Sequence, residues 1–73
     1  MQDKGTSKFR FAPVGSVVRD GYWRRTYRVL AHVSRPDWRG DGVRVEWLDG
    51  PSAGRVIEHS TAFDHKLDRI VES

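Results

Sequence analysis

The sequence predicts an all-β fold, a small five-stranded barrel with one short helical turn before the last strand. Three observations point there. Val43, Val45 and Trp47 alternate with Arg44, Glu46 and Leu48, the period of two of a strand with one buried face. Residues 26–34 are rich in β-branched and aromatic side chains and lack the i, i+3, i+4 apolar stripe of a helix. Clusters of Gly, Pro, Asp and Ser separate the extended segments. With 73 residues and no cysteine, the chain makes one small domain without disulfides or cysteine-held zinc.

The elements follow in chain order. Residues 1–12 read as a disordered or arm-like tail, and residues 13–73 as the barrel domain. Phe9 and Phe11, just before Pro13, are expected to close one end of the barrel rather than fold onto a partner. Residues 14–19 form the first strand, with Val17 or Val18 pointing inward. Asp20-Gly21 is a turn signal, and residues 22–25 show no clean core face. In the longest strand Tyr27, Val29, Ala31 and Val33 share one face, and Leu30 is a candidate for cover on the other. Residues 35–42 are a loop of Pro, Gly and Asp that carries Trp38 between Arg35 and Arg39. The strand at 43–48 is expected to place Trp47 in the core; in the reversed phase Leu48 is core and Trp47 a surface anchor. It stops at Asp49-Gly50-Pro51, and the chain becomes extended again at 55–59, so 42–59 reads as a hairpin. Ser60 or Thr61 caps a helical or 3₁₀ turn over 60–65 that brings Phe63 to the barrel end. Residues 67–71 are the last strand.

This order resembles the SH3-like barrel, in its Tudor and KOW branch. The segments that carry the resemblance are 14–18, 27–33, 43–50 and 67–70. An acidic loop with paired aromatics, as in proline-binding SH3 domains, is not evident. The resemblance implies a binding module, and a Tudor-type cage for methylated Arg or Lys would need several converging aromatics. Tyr22, Trp23, Trp38 and Trp47 are the candidates. The small, single-barrel layout is also similar to phage and mobile-element proteins that bind host components.

Charge is uneven along the chain. Residues 19–39 carry six arginines against two aspartates, whereas residues 40–73 carry four basic against seven acidic side chains. A basic front suits a polyanionic partner or an acidic protein surface, although charge complementarity within one small barrel gives the same pattern. The candidate binding residues are Tyr22, Trp23, Arg24, Arg25, Arg28, Arg35, Trp38 and Arg39. Arginines neutralise phosphates, and flat rings stack on bases. Arg24 and Arg28, four apart, are expected on one strand face. Nucleic acid is therefore the first-choice partner. The alternative is a protein-interaction module or a subunit of a larger assembly, because Trp, Tyr and Arg also anchor protein interfaces.

Other chemistries fit less well. His32, His59 and His65 with Asp64 lack any local metal-ligand spacing, so no metal or other cofactor is expected. Ser60 follows His59 directly, and adjacent strand residues point to opposite faces, which argues against a nucleophile and base pair. Neither glycine cluster leads into a helix that would cradle phosphate. The expectation is a non-enzymatic, monomeric or weakly associating protein without a small-molecule substrate. No apolar run reaches the roughly 20 residues of a membrane span, and residues 1–7 do not resemble a signal peptide, so a cytoplasmic location is expected.

Overall fold

A computed structural model of the chain, describing residues 9–38 and 40–72, is all-β. Its strands are β1 (Val17–Asp20), β2 (Arg25–Arg35), β3 (Gly40–Trp47), β4 (Val56–His59) and β5 (Arg69–Glu72). They form one antiparallel sheet in the order β4-β3-β2-β1-β5. The end strands β4 and β5 do not pair, so the expected barrel is not closed.

Alternation builds the core, as the β3 pattern predicts. Val43, Val45 and Trp47 are buried beside Val18, Tyr27 and Val29, with Trp47 only 3% exposed. The pairings Tyr27↔Trp47 and Val29↔Val45 place these side chains on one face. Each fully buried aliphatic side chain contributes about 1.5–3 kcal/mol. Val17 and Val18 are both buried, but only Val18 belongs to this core cluster.

The even alternation expected along β2 is broken. The register against β3 shifts between Val29 and Ala31, so Leu30 is an extra, bulged residue. Beyond it the phase reverses. His32 then stands opposite the buried Val43 but is itself exposed, and Ala31 and Val33, opposite Arg44 and Gly42, are half-buried. The His32 ring donates Nε2–H to the Ala12 carbonyl at 2.7 Å.

The helical turn also lies elsewhere than expected. The one 3₁₀ helix among the described residues is Pro36–Trp38, between β2 and β3. Before β5, Ser60 and Thr61 begin no helix; a single turn forms a few residues later, around the Asp64 carboxylate. Asp64 Oδ1 accepts from the Lys66 and Leu67 amides, and the Asp68 amide donates to the Asp64 carbonyl. A carboxylate accepts such bonds more strongly than a hydroxyl does, which favours Asp64 as the organising residue.

Residues 9–12 pack into the domain. Phe11 and Ala12 are buried in the core, and Phe9 meets Phe63 edge-on with centroids 5.0 Å apart. The Phe63 amide donates to the Arg10 carbonyl, and the His65 ring donates to the Phe9 carbonyl at 2.7 Å. Phe63 is half-buried against the core, although the barrel it is expected to plug is not closed.

Candidate functional site

The eight candidate residues do not form one surface. Arg39 lies outside the described residues. Arg28 lies within β2, and the remaining six divide between its two ends, which ten residue steps put about 33 Å apart.

Arg35 and Trp38 occupy one end. Arg35 and Arg44 both donate to the Glu58 carboxylate, Arg44 Nε at 2.8 Å, and this pairing holds Glu58 below the usual carboxylate range. Arg35 also lies over the Trp38 ring, 5.5 Å from its centroid. Trp38 in turn packs on the buried Gly42, where a β-carbon would strike both the indole and the His59 carbonyl. These groups are engaged in holding the β2–β3 hairpin against β4.

Arg28 lies between the ends, half-buried. It sits opposite Glu46 on one side and Val17 on the other. Arg24 does not share its strand face, because β2 begins at Arg25 and Arg24 is a turn residue with φ +59°. A non-glycine residue is uncommon in that conformation.

Tyr22, Trp23 and Arg25 occupy the second end. The Asp20 carboxylate folds the β1–β2 turn by accepting the Tyr22 and Trp23 amides, each at 2.8 Å. The Arg24 amide returns to the Asp20 carbonyl at 2.8 Å. Across from it, Asp68 ties this turn to the β4–β5 connection, accepting from Gly21 N at 2.8 Å and from Asp64 N at 2.9 Å. Gly21 passes so close to the Leu67 backbone that no β-carbon fits there.

The rings at this end form a chain of edge-to-face contacts. Trp23 meets Trp47 at 5.9 Å, Trp47 meets Tyr27 at 5.6 Å, and Tyr27 meets His59 at 6.2 Å. Arg25 lies over Trp47, 4.3 Å from its centroid, a cation–π contact worth about 1 kcal/mol. Its aliphatic stem packs against Gly50, whose φ of +79° suits glycine. Thus Arg25 braces the aromatic stack from outside, and Arg19 at the same end is paired with Asp49 at 3.4 Å. Asp49 also accepts the Thr26 amide, and that bond, ahead of the arginines nearby, holds its pKa down.

Between the turn and the β4–β5 connection lies a cavity of about 380 Å³. Its aromatic wall is Tyr22, Trp23 and Tyr27, with His59 and Leu67 beside them. Its charged lining is Asp20, Asp64 and Asp68, and neither arginine nor lysine lines it. Tyr22 is 76% exposed and Trp23 48%, so two rings stand open at the rim. Burial pushes the Tyr27 phenol up, with Asp68 and then Asp20 adding to the rise. Burial pushes the His59 imidazole below its usual value, against the opposing pull of Asp20. Its Nδ1 is buried without a hydrogen-bond partner among the described residues.

The sequence points to Tyr22 and Trp23, but as stacking platforms beside arginines. It does not point to Asp20, Tyr27, Leu67 and Asp68, and it marks His59 and Asp64 only as remote metal candidates. Among the described residues no group of three His, Asp or Glu side chains is arranged to hold a metal ion. Asp20-Gly21 before two aromatics, and two aspartates four apart at Asp64 and Asp68, are the visible signals. That they face each other across a cavity depends on long-range packing. No protein-family model, no curated protein and no solved structure matches this chain.

Proposed function

We propose that the chain is a non-enzymatic binding module that engages a protein partner at the pocket between the β1–β2 turn and the β4–β5 connection. One observation carries this reading. The cavity joins open aromatic rings to three carboxylates, and its lining includes neither arginine nor lysine. Such a lining repels phosphate and attracts cations. The order β4-β3-β2-β1-β5, a four-strand meander with β5 returning beside β1, fits the SH3-like resemblance, and the pocket is concave and partly apolar, as binding sites are.

Nucleic-acid contact is a second reading, favoured by a different place. Arg19 and Arg69 sit directly opposite each other across β1 and β5, with Arg28 near them on β2. Like charges directly opposed in a sheet are unfavourable, and an anion would relieve them. Arg19 is already paired with Asp49, however, and Glu46 faces Arg28.

Fluorescence anisotropy separates the readings. Labelled basic peptides, acidic peptides and a mixed-sequence oligonucleotide are titrated at low and moderate salt. The protein reading predicts binding of the basic peptides that Trp23→Ala abolishes and Trp38→Ala leaves intact. Oligonucleotide binding with a steep log–log salt dependence, unaffected by Trp23→Ala, contradicts it.

A further inference from the structure

We infer that the ligand group seated in this pocket is an arginine side chain of the partner, held as a guanidinium against the open rings and the free carboxylate oxygens. The inference rests on the protein-binding reading and specifies its chemistry.

The carboxylates are positioned before any ligand arrives. Asp20 uses Oδ1 for the Tyr22 and Trp23 amides, and Asp64 uses Oδ1 for the Lys66 and Leu67 amides. Neither Oδ2 receives a hydrogen bond from another described residue. Asp68, by contrast, has both oxygens engaged, one on each loop. Two carboxylates, each fixed by its own backbone bonds and carried on a different loop, therefore line one cavity, and each keeps an oxygen that can accept from a ligand N–H. Because the amide bonds already fix both loops, little rearrangement opposes binding.

Three cationic side chains compete for such a site. A trimethylated lysine offers charge and methyl groups but no donor, so it would desolvate two carboxylate oxygens without bonding them. A lysine ammonium can bond them but is a compact, strongly hydrated charge that does not stack. A guanidinium lies flat on a ring and donates in its own plane to acceptors at its edges. The chain already uses this packing, where Arg25 covers Trp47 at 4.3 Å and Arg35 covers Trp38 at 5.5 Å. The Arg25 guanidinium also lies 5.9 Å from the Trp23 centroid, and Trp23, still 48% exposed, stands at the cavity rim.

The test uses the whole chain and NMR amide titrations. Four Gly/Ser-flanked peptides differ only at the centre: Arg, Lys, trimethyl-Lys or Ala. The Arg peptide is expected to shift the amides of Tyr22, Trp23, Asp64 and Leu67 and the Trp23 indole N–H. It should bind about tenfold more tightly than the Lys peptide, with trimethyl-Lys weaker still. Asp20→Asn keeps one oxygen for the turn and should weaken the Arg peptide selectively, while Trp38→Ala at the far end should not. The ligand series on the unmodified chain stands even if a variant folds poorly. Equal or tighter binding of Lys or trimethyl-Lys overturns the guanidinium assignment and leaves the protein reading in place. No shift at these residues with the Arg peptide overturns the assignment, and if the basic peptides of the anisotropy assay also fail, the protein reading falls with it.

Discussion

Two glycines and one arginine show how much of this fold is decided at single positions. Gly21 lies against the Leu67 backbone and Gly42 under Trp38 and the His59 carbonyl. A methyl group at Gly21 must push two loops apart, since its neighbour is backbone and cannot rotate away. Gly21→Ala is expected to cost about 1–3 kcal/mol in urea unfolding and to weaken basic-peptide binding as well, because Gly21 N also holds Asp68. Arg24 is the opposite case. Its φ of +59° is strained for any side chain, and glycine relieves that strain while adding unfolded-state entropy. Arg24→Gly should therefore raise stability by about 0.5 kcal/mol in the same assay. A loss of stability would mean that the exposed Arg24 side chain makes a contact the turn depends on.

His59 links the residue scale to pH. Its pKa is lower in the folded protein than in the unfolded chain, chiefly through burial, so the unfolded state binds more protons in acid. The stability of its neutral form is fully present above the ordinary histidine value of about 6.5. It is lost as pH falls from there through the folded value. Peptide binding should fall over the same window, since an imidazolium in the pocket wall repels a cation. His59→Phe should flatten both profiles; a profile unchanged by that substitution would place the titrating group elsewhere. Asp49 and Glu58 act further into the acid range. Both have depressed pKa values, so their stabilisation is present above the usual carboxylate range and disappears as pH drops through their folded values. The thermal midpoint of Glu58→Gln should accordingly depend less on acid and on salt than that of the parent chain.

At the scale of the elements, β3 was the most legible and β2 the least. Val43, Val45 and Trp47 face one core throughout, and a period of two shows it directly. In β2 the same rule puts Ala31 and Val33 on the core side, but the Leu30 bulge reverses the phase. No residue type marks that bulge, because it arises from how β2 must bend against β3. The turn before β5 was visible as a turn, but its cap, Asp64, is decided by which side chain can reach two amides at once. Phe11 was legible as packing at one end of the domain, but the burial of Ala12 beside it was not, since it depends on the long-range contact with His32. Phe11→Ala should thus behave as a core truncation, costing about 3 kcal/mol or more in chemical unfolding. A loss below about 0.5 kcal/mol, the level of a surface change, would detach this segment from the domain.

For the whole molecule, composition suggested one basic working face, and the fold distributes that charge differently. Arg35 and Arg44 are bound to Glu58, Arg19 to Asp49, and Arg25 to the tryptophan stack. Much of the basic front is thereby engaged in joining strands and loops, while the acidic second half of the sequence supplies two of the three carboxylates of the pocket. Tyr22 and Trp23 could be found from the sequence; the sign of the charge beside them could not, because two of its three carboxylates, Asp64 and Asp68, come from more than forty positions away. The central claim, that the protein works through this aromatic and acidic end, is tested most directly by a chemical-shift map with an arginine-containing basic peptide. The account predicts perturbations that cluster at Tyr22, Trp23, His59 and Leu67, with Arg35 and Trp38 silent. A map centred on the Arg35 and Trp38 end, or on the Arg19 and Arg69 pair, would contradict it.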